Sequence, residues 1–223
     1  MAAPRISHRQ PSELRRPQIA DAALNVIAEQ GLRKFTARAI AREVGVSDAA
    51  LYRHFPSTRA IVHAAIERVQ EVLFEGFPPA DPDPLERLGR FFRQRASAVA
   101  GHPGIARLMF SEDLAHAAGP EGGARVAEMK RRSVGFVLAC LEEARRRRLL
   151  VVGLAPRDAA VVVTGSLMAL LHAGRGTAGS EAAEQAAQRV WRTLEHLLRR
   201  EPKARAAGLR REPAAAVSRL DRH

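Results

Sequence analysis

The stretch from Thr36 to Phe55 constrains the fold more than any other. It reads Thr36-Ala-Arg-Ala-Ile-Ala-Arg-Glu-Val-Gly-Val-Ser-Asp-Ala-Ala-Leu-Tyr-Arg-His-Phe55, two short helical runs joined by Gly45-Val46. Thr36 and Ser47 are hydroxyl residues of the kind that cap helix N-termini. Gly45 stands where a left-handed residue lets the chain turn sharply. Ala41 is small enough for the two helices to cross closely, and Ile40, Val44, Val46 and Leu51 supply a small shared core. Such a unit needs a third helix to bury that core. Ile19, Ala22, Ala23, Val26 and Ile27 recur at helical spacing just upstream and end at Gly31.

The rest of the chain continues the helical pattern. A helix is expected from Ser57 to about Glu75, followed by a breaker, Gly76-Phe77-Pro78-Pro79-Ala80-Asp81-Pro82-Asp83-Pro84. Asp83 then caps a helix, with Pro84 at its first position and Glu86 completing a capping box. That helix carries Leu85, Leu88, Phe92 and Val99 and stops at Gly101-His102. Pro103 opens a short helix. A Gly-rich loop, Gly119 to Gly123, leads into a long one ending at Arg145–Arg148, where cations suit the negative end of the helix dipole. Ala159–Gly174 is apolar nearly all round, so it must be covered on several sides. Ser180 caps a last helix bearing Ala187, Val190, Trp191, Leu194, Leu197 and Leu198. The expected fold is all-α, a three-helix N-terminal domain followed by a helical body, about nine helices in all.

Charge is distributed unevenly. Of the 36 Lys and Arg, ten fall in residues 1–59 against five Asp and Glu, and eight in residues 199–223 against three. The body between them is close to neutral, so the net +12 comes from the two ends. A basic terminal module on a neutral body points to contact with a polyanion. The single cysteine, Cys140, excludes an internal disulfide and fits a reducing compartment. No N-terminal stretch has a signal peptide's apolar core, and no run reaches the roughly 20 apolar residues of a spanning helix. The expectation is a cytoplasmic protein with no membrane contact. There is no Gly-rich phosphate loop, nucleophile elbow or paired carboxylate in a plausible cleft, so no enzyme is expected.

The run from Ile19 to Ile61 resembles the DNA-binding domain of the tetracycline-repressor (TetR) family. The matching residues are Thr36, Ile40-Ala41, Gly45-Val46-Ser47, Leu51-Tyr52 and His54-Phe55, followed by apolar Ile61. The sequence departs from the family at Val44, where Ala is frequent, near Ala49 and Ala50, where Gly is frequent, and at Thr58, where Lys is usual. Arg59 offers the missing cation from the next position. The resemblance implies a homodimer that binds a pseudo-palindromic, double-stranded DNA operator and is released from it by a small effector. It also implies dimerisation through the last two helices and an effector pocket in the middle ones. The stretch Val46–Ser57 is also similar to that of nucleoid-occlusion members of the family, which bind many chromosomal sites and act through a protein partner.

Residues then fall into roles. The recognition helix is expected over 47–54. Thr36, Ser47, Tyr52 and His54 offer hydrogen bonds to phosphates, with Lys34, Arg38, Arg42, Arg53 and Arg59 nearby. Asp48 and Ala49 face bases, Asp48 accepting from a cytosine amino group and Ala49 touching a thymine methyl, with Arg42 as a guanine reader. The pocket lining is expected to include Phe91, Phe92, Leu108, Met109, Phe110, Phe136, Cys140 and Met168, with His116 and His172 as its polar members. Its apolar character favours a hydrophobic or amphipathic effector. Glu112 or Asp113 with His116 has metal-ligand spacing, but no His or Cys cluster joins them; neither a metal nor a cofactor is expected. The dimer interface is expected at Val163, Leu167, Leu170, Leu171, Val190, Trp191, Leu194 and Leu198. The domain divisions are 1–13, a flexible basic arm; 14–60, the helix-turn-helix domain; 61–201, the effector-binding and dimerisation domain; and 202–223, a disordered basic tail.

Overall fold

A computed structural model describes residues 12–173 and 180–200. The tail expected over 202–223, and nearly all of the arm expected over 1–13, lie outside the described residues. Among those residues the chain forms nine α-helices: α1 (Ser12–Gln30), α2 (Ala37–Val44), α3 (Asp48–His54), α4 (Thr58–Phe74), α5 (Pro84–Gly101), α6 (Pro103–Met109), α7 (Leu114–Arg146), α8 (Pro156–Ala173) and α9 (Ser180–Leu198).

The helix starts follow from side-chain chemistry. Thr36, Ser47 and Ser57 each accept a hydrogen bond from the backbone N–H three residues on, opening α2, α3 and α4. Asp83 does the same for α5, accepting from the N–H groups of Leu85 and Glu86. The return arm of the expected capping box is absent. The Asp83 N–H donates instead to Asp81 Oδ1 at 2.9 Å, and Glu86 faces Arg199 at 3.6 Å. An acidic residue two positions before the cap lies nearer that N–H than Glu86 does.

The Gly-rich segment is not the loop its composition predicts. Only Gly119 leaves helical geometry, with φ 70 and ψ −177, and it breaks α7 in two. Pro120 follows it, and Gly122 and Gly123 lie within the second helix. Glycine allows a left-handed residue, but nothing in glycine forbids the helix from resuming, and proline suits its first turn.

Two apolar clusters form the interior. The first joins α1–α4 to α6 and to the front of α7, through Ile19, Ile27, Ile40, Leu51, Phe55, Ile61, Ile105, Leu108 and Met129. The second joins α5, the rear of α7, α8 and α9 through Leu88, Phe92, Cys140, Leu141, Val163, Trp191 and Leu198. The helix-turn-helix core therefore does not end at residue 60. It continues through α6, which lies against α1. Beyond α9, Leu150 and Arg199 form an antiparallel bridge, with Val151 N–H donating to Leu198 O and Arg200 N–H to Leu149 O.

Candidate nucleic-acid interface and ligand cavity

α2 and α3 are positioned by their apolar undersides. Ile40, Ala41 and Leu51 are buried against α1, and Phe55 closes the end of α3. Gly45 is left-handed, φ 74 and ψ 35, and its N–H returns to the carbonyls of Ala41 and Arg42. The chain thus turns within three residues, and α3 begins with its outer face in solvent.

Nearly all the residues expected to touch DNA are in solvent. Lys34, Thr36, Arg38, Arg42, Ser47, Asp48, Ala49, Tyr52, Arg53 and Arg59 are exposed, and His54 is half-buried. Tyr52 is 48% exposed although its neighbour Leu51 is fully buried. The Thr36 and Ser47 oxygens accept from their own helices. Each hydroxyl proton remains a donor to an anion, and Lys34, Arg38 and Arg42 are also in solvent. The Arg59 guanidinium lies at the Gly119 break of α7, about 3.7 Å from where a Cβ at Gly119 would be.

One contributor was not foreseen. Arg16 of α1 lies over the Phe55 ring at 4.6 Å and donates to the His54 carbonyl at 3.5 Å. It meets the C-terminal end of α3, where a cation opposes the helix dipole. No local pattern around Arg16 carries this information, because the contact spans 38 positions.

A separate cavity of about 90 Å³ lies among α4, α5, α6, α7 and α8. Of the residues expected to line an effector pocket, it brings together Phe91, Met109, Phe110 and Met168. The others lie elsewhere. Phe92 lies against Trp191 with the rings tilted and their centroids 5.6 Å apart, Leu108 is buried in the first cluster and Cys140 in the second. Phe136 packs on Phe77 and Phe91 with centroids 5.0 and 5.1 Å away. His116 is exposed, and the His172 ring, 5.6 Å from Phe110, pairs through Nδ1 with the Met168 carbonyl. Burial pushes the Cys140 thiol above its ordinary value, with Arg87 opposing. Helical spacing identifies apolar faces but not which of two clusters each face joins.

Sequence reasoning missed the cavity's polar members, Arg95, Lys130, Ser133 and Thr164. Arg95 is only 5% exposed. It donates through Nη1 to the Leu73 carbonyl and lies over the rings of Phe74 and Phe91 at 4.4 and 5.0 Å. Among the described residues, no group of three or more His, Cys, Asp and Glu is placed to hold a metal, and no helix is long and apolar enough to cross a membrane.

Burial sorts the residues expected at the interface. Val163, Leu167, Trp191, Leu194 and Leu198 are buried in the chain's own core, and Leu170, Leu171 and Val190 are half-buried against it. On α8 and α9 the large apolar side chains left in solvent, among the described residues, are Val161, Val162 and Leu197. An apolar helix can be identified from composition, but the face its own domain claims cannot.

Residues 19–65 match the family described as bacterial regulatory proteins, tetR family. Over these residues the chain is similar to the tetR family. The TetR match covers α1–α3 and the start of α4, the elements that carry the exposed cationic face. Nucleoid occlusion factor SlmA of Aliivibrio fischeri (strain MJ11) is 32% identical over 108 residues, covering 45% of this chain and 55% of SlmA. The chain thus spans about half the length of the curated relatives it matches. Beyond the TetR domain the likeness is of fold. The ketosteroid transcriptional regulator KstR2 of Mycobacterium tuberculosis superposes with a TM-score of 0.68 at 19% identity, over 84% of this chain and 96% of that one. The transcriptional regulator FadR from Bacillus subtilis, solved in complex with stearoyl-CoA, gives 0.56 at 21% identity, over 81% and 97%.

Proposed function

We propose that the protein is a DNA-binding transcriptional regulator, a homodimer that represses from a pseudo-palindromic operator and is released by a small, largely apolar effector. The observation that carries this reading is a pair of short capped helices, α2 and α3, that leave Tyr52 and a set of cations in solvent within the segment matching the tetR family. In a helix-turn-helix the second helix enters the major groove, so Asp48 and Ala49 meet base edges while Thr36, Ser47, Tyr52 and the cations hold phosphates. The half-buried His54 lies at the far end of α3. In this reading residues 14–60 bind DNA and 61–201 bind the effector and the second subunit, and the protein works in the cytoplasm.

The effector half of the reading is supported by the cavity's position. Leu73 of α4 and Met109 of α6 are in its wall, and both helices pack on α1. FadR holding stearoyl-CoA in a related fold gives further support. A ligand that prefers a displaced α4 or α6 shifts the spacing of two recognition helices, and the difference in its affinity for the two states is the coupling energy. The dimer half is supported by the uncovered apolar stripe of Val161 and Val162, with Leu197 on the neighbouring helix.

A second reading, favoured by the likeness to SlmA, is a protein that binds many chromosomal sites and acts through a protein partner. Genomic fragments captured by the purified protein at about 150 mM salt, where non-specific phosphate binding is weak, separate the two. A few pseudo-palindromic sites near its own or neighbouring genes are expected. Sites spread along the chromosome with no response to small molecules select the second reading, and no captured sites at all overturns both.

A further inference from the structure

The cavity is lined mostly by apolar side chains, and its polar members are Arg95, Lys130, Ser133 and Thr164. Among the described residues, three buried side-chain polar atoms lack a hydrogen-bond partner: Arg95 Nη2, Thr164 Oγ1 and Trp191 Nε1. The first two belong to residues that line this one cavity. Arg95 is the only buried charged residue among those described. A buried cation is ordinarily paired, because removing it from water costs several kcal/mol unless an opposite charge replaces the lost hydration. Arg95 has rings on its faces and one carbonyl at Nη1, but no carboxylate. Burial, with Arg132 adding repulsion, pushes its pKa down to about 10. It is still charged near neutral pH. A second cation, the exposed Lys130, also lines the cavity and sits over Phe110 at 4.9 Å.

We propose that the cavity takes an apolar carboxylic acid as its anion, with Arg95 holding the carboxylate and Thr164 adding a hydroxyl donor. This rests on the effector reading above and names the effector's class. A guanidinium is suited to a carboxylate because its planar fork matches two oxygens. The acid's body lies along Val99, Met109, Met168 and Leu171. At about 90 Å³ the cavity is smaller than the roughly 150 Å³ that admits benzene in an engineered core, so a short chain enters first. Met109 and Met168, unbranched and adaptable, are the side chains able to yield to a longer one.

The same arginine gives the ligand a route to α4. Nη1 donates to Leu73, whose carbonyl belongs to the last turn of α4, one of the groups with no partner inside the helix. A carboxylate on the guanidinium competes with that carbonyl. Binding therefore loosens the arginine's hold on the end of α4, the helix whose start follows α3.

The test is titration calorimetry of the full chain, without DNA, against hexanoate and its neutral isostere hexanamide. Charge-assisted pairing predicts that hexanoate binds at least about tenfold more tightly. The preference falls to near unity in Arg95→Met and survives in Thr164→Val, which removes one donor but no charge. Circular dichroism of each variant establishes that the helices are intact. Equal binding of acid and amide overturns the anion but leaves an apolar effector pocket. A preference that persists in Arg95→Met moves the anion site away from Arg95, and no binding of either ligand overturns the proposal. Loss of operator binding in a separate assay touches only the regulator reading.

Discussion

Gly104 lies so close to the backbone of Leu24 that a Cβ at position 104 would stand 2.1 Å from the Leu24 carbonyl oxygen. This contact seats α6 directly on α1. It is reinforced three residues on, where Arg107 donates to the Ala28 carbonyl. The same short helix contributes Ile105, Ala106 and Met109 to the cavity wall. A side chain that moves in the cavity therefore pushes on a helix with no slack against the DNA-binding domain. Gly104→Ala forces the two backbones apart. Overpacking of this kind costs about 1–3 kcal/mol, or roughly 2–4 °C of melting temperature per kcal/mol in a chain of this size. Thermal unfolding measures it, and an unchanged midpoint would mean that α6 is free to slide.

Tyr52 and the α2 cations separate affinity from stability. Tyr52→Phe removes only an exposed hydroxyl, so the melting temperature is expected to stay within about 1 °C. In the proposed reading the hydroxyl meets phosphate, so operator affinity is expected to fall to a similar extent on all sequences. Arg38→Ala lowers the slope of log K against log salt by about one unit. Fluorescence anisotropy over a salt series reads both, and a changed base preference in the Tyr52 variant would reassign that residue to direct readout.

An acidic residue at Leu194 or Leu198 would not report on the subunit interface, since both are buried inside one chain. The informative pair is Val161, 72% exposed, and Leu197, 60% exposed. A Val161→Asp, Leu197→Asp double variant is expected to sediment as a folded monomer with native helicity. A dimer of that variant places the interface away from α8 and α9.

Acid stability follows from Asp83. Burial alone would raise its pKa, but hydrogen bonds from Arg199 and from the Leu85 and Glu86 N–H groups outweigh it, and the carboxyl is held below its ordinary 3.8. A depressed folded-state pKa gives stability that is present above the unfolded value and lost as pH falls through the folded one. Asp83→Asn keeps the cap but loses the 2.8 Å ion pair that ties α5 to the end of α9. Wild type should exceed this variant by under about 1 kcal/mol near neutral pH, the range for partly exposed pairs. The margin should shrink below pH 3.8, checked by urea unfolding across that range. A margin independent of pH would mean that the pair with Arg199 contributes nothing.

Much of the DNA-facing half was legible because its signals are local. Thr36, Ser47 and Ser57 cap the helix that begins at the next residue, Gly45 turns the chain where it stands, and Ile40 and Leu51 fall on inward faces by period alone. The body was legible only as helices. Val163 and Leu167, expected at the interface, wall the cavity, while Phe92 and Cys140, expected as lining, lie in the second core cluster. Arg95 has no local mark at all, because what distinguishes it is burial beside Phe74 and Phe91 from two different helices.

The amino-acid sequence by itself determined the helices, their caps, the sharp turn at Gly45 and the exposed cations of α2 and α3. Each of these is settled by interactions within one or two helical turns. Tertiary structure alone decided which apolar faces meet, that α6 locks onto α1 at Gly104, that Val161 and Leu197 stay uncovered, and that Arg95 is buried without a counter-charge. Those outcomes depend on contacts between residues tens of positions apart, and the 3.6-residue period that writes a helix says only that it has an inner face, not what lies against it.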